Sequence, residues 1–240
     1  MDPKELFERQ CVIQQRIYEI AKTEGLTNKD KNAIPDGVAD CEDYIKTKPR
    51  VAWILKEPYD YVENGDPKGG GWLLYTGFLS DNKDWEKNFT WQRIIYTMYG
   101  LRHGIKYDDM DYIRNNPDMG DVMKGTVILN LSKMPAYTTS SSHTFVADYN
   151  KYWKPILKEQ IELYNPQIII FDYTFSYCKD LFTSEDATPI KQISNAGRCF
   201  INLYKTDGRL LLDAYHPAVR SNGEFYVNSI IDTINNYFNK

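Results

Sequence analysis

Val51-Ala52-Trp53-Ile54-Leu55, stopped by Lys56-Glu57-Pro58, is the stretch from which the fold can be read. Five apolar, β-forming residues without polar alternation describe a strand buried on both faces, as parallel sheets require. Two charges and a proline then end it. Residues 126–130, 167–171 and 210–214 have the same continuous apolar character. Helical patterns separate these runs, which predicts an α/β fold: three layers, α/β/α, around a central, mostly parallel, four-stranded sheet. At 240 residues the chain fits one domain, 1–240, with an N-terminal helix within residues 1–25 packed on it.

The helices carry their own punctuation. Asp2 caps the helix over residues 2–21, Pro3 suits its first turn, Glu5 completes a capping box, and Gly25 follows its end. Thr90 is placed to cap a helix whose Trp91, Ile94, Ile95 and Met98 share a face, with Gly100 at its C-terminal end. Helical spacing recurs over 152–164 and 174–182. Ser221-Asn222-Gly223-Glu224 opens the last helix as a capping box, with Phe225, Ile230, Ile231, Ile234 and Phe238 on its buried side. Residues 198–205 turn back through Thr206-Asp207-Gly208 into the last strand, as in a hairpin. Residues 59–89, with Gly65, Gly69, Gly70, Gly71 and Gly77, read as a long functional loop.

Composition narrows the classes. No run approaches the roughly 18 apolar residues of a membrane span, and Met1-Asp2-Pro3-Lys4-Glu5 lacks the basic and apolar regions of a secretory signal, so a soluble, cytoplasmic protein is expected. The four cysteines stand singly with no C-x-x-C pair, so neither a metal nor another cofactor is expected. A net charge of −4 speaks against a generic nucleic-acid-gripping face.

In parallel α/β sheets, ligands bind beyond the carboxyl ends of the strands. Those ends are Lys56-Glu57-Pro58-Tyr59, Asn130-Leu131-Ser132-Lys133, Asp172-Tyr173 and Tyr215-His216-Pro217. His216 is one of only three histidines, and the other two, His103 and His143, sit in polar surroundings. The bland alternatives are concrete: Pro58 and Pro217 end strands, Ser221 caps a helix, Glu57 pairs with Lys56 or Lys133, and Asn130 satisfies loop backbone.

Three of these segments together resemble the uracil-DNA glycosylase superfamily. Lys56-Glu57-Pro58-Tyr59-Asp60 after a strand is similar to the first motif, Gly-Gln-Asp-Pro-Tyr-His, with Glu57 on the water-activating aspartate. His216-Pro217-Ala218-Val219-Arg220-Ser221 resembles the second motif, His-Pro-Ser-Pro-Leu-Ser. Between them, residues 127–135 resemble the strand whose terminal asparagine reads the base, with Asn130 in that place, and another branch has Asn-x-x-Lys-Cys-x-Pro there. Residues 166–171 match the third strand, so the resemblance runs from Val51 to the end of the chain.

The resemblance implies a DNA-base N-glycosidase that hydrolyses the N-glycosidic bond of a deaminated or modified base. Its catalytic residues would be Glu57, acting on water, and His216, donating to the base oxygen. Asn130 would hold the base edge with Tyr59, and Trp72 or Tyr75 would supply a stacking face. Lys56, Lys133, Arg220 and Ser221 would contact phosphate. DNA or a nucleotide ligand is the implied partner of a monomer, and a duplex target would have to be flipped out. The chain departs from the pattern at Leu55, Lys56 and Glu57 in the first motif, at Arg220 where the family has an apolar wedge, and at Met134 where the iron–sulfur branch has a ligand cysteine. Two alternatives stand beside this reading: a non-catalytic nucleotide-binding or nucleic-acid-binding module, and a hydrolase of a small nucleoside-like metabolite.

Overall fold

The four apolar runs become adjacent parallel strands. The computed structural model describes residues 1–79, 88–136, 145–183, 188–195, 199–206, 208–218 and 222–238. The helices, in chain order, are α1 (Pro3–Thr23), α2 (Cys41–Lys46), α3 (Thr76–Leu79), α4 (Phe89–His103), α5 (Phe145–Asp148), α6 (Lys154–Tyr164), α7 (Phe175–Cys178) and α8 (Gly223–Phe238). The strands are β1 (Val51–Leu55), β2 (Val62–Glu63), β3 (Asp66–Pro67), β4 (Val127–Asn130), β5 (Ile168–Asp172), β6 (Lys191–Asn195), β7 (Cys199–Thr206) and β8 (Arg209–Ala214).

The main sheet has six strands in the order β4-β1-β5-β8-β7-β6, two more than expected. β4, β1, β5 and β8 run parallel, and β7 and β6 extend the sheet antiparallel. The added β6 is the polar run Lys191-Gln192-Ile193-Ser194-Asn195, which has no apolar pattern to announce it. Helices cover both faces. Trp53, Ile170 and Leu212 pack with Ile94 and Met98 of α4 and Val227 and Ile230 of α8. Ile54, Leu129 and Ile169 pack with Ile13 and Ile17 of α1 and Leu157 and Ile161 of α6. Each such side chain contributes about 1.5–3 kcal/mol on burial.

Several boundaries differ from expectation. Asn88, not Thr90, caps α4, its side chain accepting from the backbone N–H groups of Thr90 and Trp91. Gly104, not Gly100, ends that helix in the left-handed region at φ 68°. The helix expected over 174–182 is only α7 followed by a 3-10 turn, Lys179–Leu181. Asn222 caps α8 by accepting from Phe225 N–H at 3.3 Å. The long loop contains a small hairpin, β2 and β3, turned at Asn64 (φ 51°) and Gly65 (φ 87°), the positive values a tight hairpin turn requires.

The irregular stretch before β1 reaches the outer edge of the sheet. Gly37 exchanges backbone hydrogen bonds with Ile128 of β4, both at 3.1 Å, and so occupies part of an otherwise open strand edge. A Cβ at Gly37 would lie 2.4 Å from the Tyr164 hydroxyl, so glycine is required there. Among the described residues, no helix is long and apolar enough to cross a membrane.

Candidate functional site

Parallel register aligns the strand ends in one row. Leu55 pairs with Asn130 on one side, and on the other the β1–β5 register of Ile54 with Phe171 continues to place Leu55 beside Asp172, which pairs with Ala214. Side chains alternate across a sheet, so Asn130, two residues after Ile128, and Asp172, two after Ile170, lie on the α4/α8 face. Two strand spacings separate them, about 9–10 Å. Both are buried, 1% and 4% exposed, and each leaves one polar atom without a hydrogen-bond partner among the described residues: Asn130 Nδ2 and Asp172 Oδ1. Buried orphans of this kind are rare in native proteins and call for a reason.

The loops leaving the row are tied together. Leu131 N–H donates to Leu55 O, Ser132 N–H to Lys56 O and Ala136 N–H to Pro58 O, at 2.8–2.9 Å. Beyond β5, Tyr173 N–H donates to Ala214 O at 2.8 Å and the Thr174 hydroxyl donates to Ile54 O at 2.6 Å. Tyr173 takes φ 55°, a left-handed value that costs a non-glycine residue on the order of 1 kcal/mol or more. The strained residue directly follows Asp172.

His216 stands two residues beyond Ala214. Its Nδ1 accepts from the backbone N–H of Ala218 at 3.0 Å, which in the neutral ring puts the proton on Nε2. Nε2 lies 3.5 Å from Asp172 Oδ2, a loose contact that leaves the N–H open to a better acceptor. Distance alone would make this an ion pair. The surroundings nevertheless oppose ionisation of each group: burial, then the Asp213 charge, pushes the Asp172 carboxyl well up against the opposing Lys56, while burial, then Lys56 and Arg93, holds His216 below its usual value. Burial is the first cause for both, although the His216 side chain is half exposed whereas Asp172 is buried.

Glu57 has a side chain 10% exposed, with Lys56 Nζ 3.7 Å from its carboxylate. Burial raises its carboxyl above the usual range and Lys56 only partly offsets this. Lys56 also faces the Phe145 ring, 5.5 Å from its centroid, and its charge acts on Glu57, Asp172 and His216 alike. Tyr59, half exposed, feels both Glu57 and Asp172. Glu57, Asp172, Tyr59, His216 and Lys56 therefore form one electrostatic neighbourhood, with Asn130 in the row beneath.

Other expected residues lie elsewhere. Lys133 is corrected from a phosphate contact to a structural ion pair. It is fully buried, and its Nζ reaches both Asp36 oxygens at 2.8 Å, Asn130 O at 2.7 Å and Gln160 Oε1 at 2.9 Å. Four acceptor atoms surround it, which suits an ammonium with three N–H donors. Tyr75 is corrected from a stacking face to core: it is 6% exposed and its hydroxyl donates to Gln14 of α1. Trp72 stays near the first motif, its indole N–H donating to Asp60 Oδ2 at 2.7 Å. Arg220 and Ser221, and the Thr138–Ser142 run, lie outside the described residues.

Three supporting residues were missed in the sequence, and a fourth, Asp172, was named there only as part of a strand end. Asp172 carried a signal, a carboxyl ending a buried strand. Arg93 of α4, which donates to Pro217 O beside His216, carried none, nor did Asp36 and Gln160. Among the described residues no three His, Cys, Asp or Glu side chains cluster so as to hold a metal ion. No protein-family model matches the chain, and no curated protein matches it.

Proposed function

We propose that this chain is a DNA-base N-glycosidase of the uracil-DNA glycosylase type, acting on a deaminated or modified base. The observation that carries the reading is the state of His216: with Nδ1 occupied by Ala218 N–H, a neutral ring can only offer Nε2–H, a donor suited to the oxygen of a departing base. Asn130, whose Nδ2 has no hydrogen-bond partner among the described residues, would hold the base edge from the strand end. Glu57, partly desolvated, would orient and deprotonate the attacking water and stabilise positive charge on the sugar. Tyr59 lies beside these groups, and Trp72 is the remaining candidate for a stacking face.

The test is incubation of purified protein with uracil-containing single-stranded and duplex oligonucleotides, followed by alkali. Strand breaks at uracil are expected, with Glu57→Gln and His216→Asn each lowering the rate by on the order of 100-fold or more. A wild-type protein that leaves no abasic site with any damaged base would remove the reading. A second reading, hydrolysis of a small nucleoside-like metabolite, is favoured by the burial of Lys133, which takes away one expected phosphate contact, and by the net charge of −4. Turnover of free nucleosides that is indifferent to salt would select it.

A further inference from the structure

Asp172 has no role in the reading above, yet its Oδ2 lies 3.5 Å from His216 Nε2. We infer, resting on that reading, that Asp172 is a further catalytic residue: its carboxyl donates a hydrogen bond to the departing base beside the one from His216 Nε2–H. Three features of its placement support this. Asp172 Oδ2 is 3.5 Å from His216 Nε2, so one base oxygen inserted there meets both groups. Its Oδ1 is buried and has no hydrogen-bond partner among the described residues. Its backbone is fixed on both sides, by pairing with Ala214 and by the Tyr173 and Thr174 hydrogen bonds that follow.

A carboxyl donates only when protonated, and its surroundings favour that form. Burial, then the like charge of Asp213, favours the protonated carboxyl, and among the described residues Lys56 is the cation that opposes them. Tyr59 also lies near, and Arg93 faces His216 from α4. A neutral carboxylic acid kept as a hydrogen-bond donor is an established way to stabilise an oxyanion. The ligand class follows: a base whose carbonyl oxygen adjoins the glycosidic nitrogen, as in an oxo-pyrimidine, because the leaving charge spreads onto that oxygen. In the step, the C1′–N bond breaks with both electrons on the base, water oxygen bonds to C1′, and Glu57 takes the water proton. The base anion later takes one proton from solvent and Glu57 releases one, so only water is consumed. Asp172 keeps its proton throughout.

The experiment is the rate of uracil release from a single-stranded oligonucleotide as a function of pH, for wild type, Asp172→Asn and Asp172→Ala. Asp172→Ala is expected to be about 10²–10³-fold slower. In wild type the rate should fall as pH rises through the ionisation of Asp172. Asp172→Asn, which keeps a donor that cannot ionise, should lose that fall while retaining measurable release. Wild-type rate and an unchanged high-pH limb in both variants would overturn the inference alone; a wild type that releases no base would overturn the glycosidase reading and this inference with it. Should the variants fail to fold, carbon-13 spectra of aspartate-labelled wild type decide: a carboxyl still protonated at pH 7 and bearing on the His216 resonances supports the assignment, and only ionised aspartates overturn it.

Discussion

Replacing Lys133 with methionine would leave Asp36 as a buried carboxylate whose remaining partners are the Asn130 backbone N–H and the Gln160 amide. Breaking one side of a buried pair costs about 3–5 kcal/mol, so Lys133→Met should lower the urea midpoint sharply, and adding Asp36→Asn should recover much of the loss. The comparison matters because the same knot fixes Asn130, whose N–H and C=O both bond to it. Glu57 makes a second prediction. Burial raises its carboxyl above the ordinary glutamate value, so base release should rise with pH through a displaced ionisation that Glu57→Gln abolishes. Together with the opposite limb from Asp172, the wild-type profile should be bell-shaped. The strand-end placement of Glu57, Asn130 and His216 was legible because each stands at the end of a buried apolar run. Lys133 follows such a run too, and was misread. What decides its role is Asp36, 97 residues away in a polar stretch with no pattern.

The parallel strands were legible because burial on both faces writes an unbroken apolar run. β6 was not, because it is an exposed edge strand held to β7 by backbone pairing and a Gln192–Asn202 side-chain hydrogen bond, and backbone pairing leaves no mark on side-chain choice. The end of α4 was misplaced for a related reason. Gly100 looks like a stop signal, but it serves close packing: a Cβ there would meet Ile231 Cδ1 at 2.4 Å, Met110 Cε at 2.6 Å and the backbone oxygen of Ile105 at 2.8 Å. Alanine normally gains about 1 kcal/mol over glycine inside a helix. Here overpacking, typically 1–3 kcal/mol, should win, because the backbone contact cannot swing aside. Gly100→Ala should therefore lower the midpoint of urea unfolding, whereas Gly104→Ala should lower it only through its left-handed φ, with no contact within 4 Å.

At the scale of the whole molecule, buried acids tilt stability toward lower pH. Asp213, on the α7 side of the sheet, is pushed up to about 6 by burial, against the Phe175 N–H that it accepts. Its unfolded value is about 3.9. Between these values the folded chain holds a proton that the unfolded chain has lost, so stability falls as pH rises through the window. Two units correspond to on the order of 2–3 kcal/mol. Asp213→Asn, which keeps an acceptor for Phe175, should raise the melting temperature at pH 7 and leave it nearly unchanged at pH 4. The Asp36 knot has a different consequence, one of timing. Its partners Lys133 and Gln160 follow it by 97 and 124 residues. At a synthesis rate of about 5–20 residues per second, Asp36 waits roughly 6–25 s on the ribosome before both exist. The floor beneath Asn130 can close only after α6 has been made, however early β1 and β4 find each other.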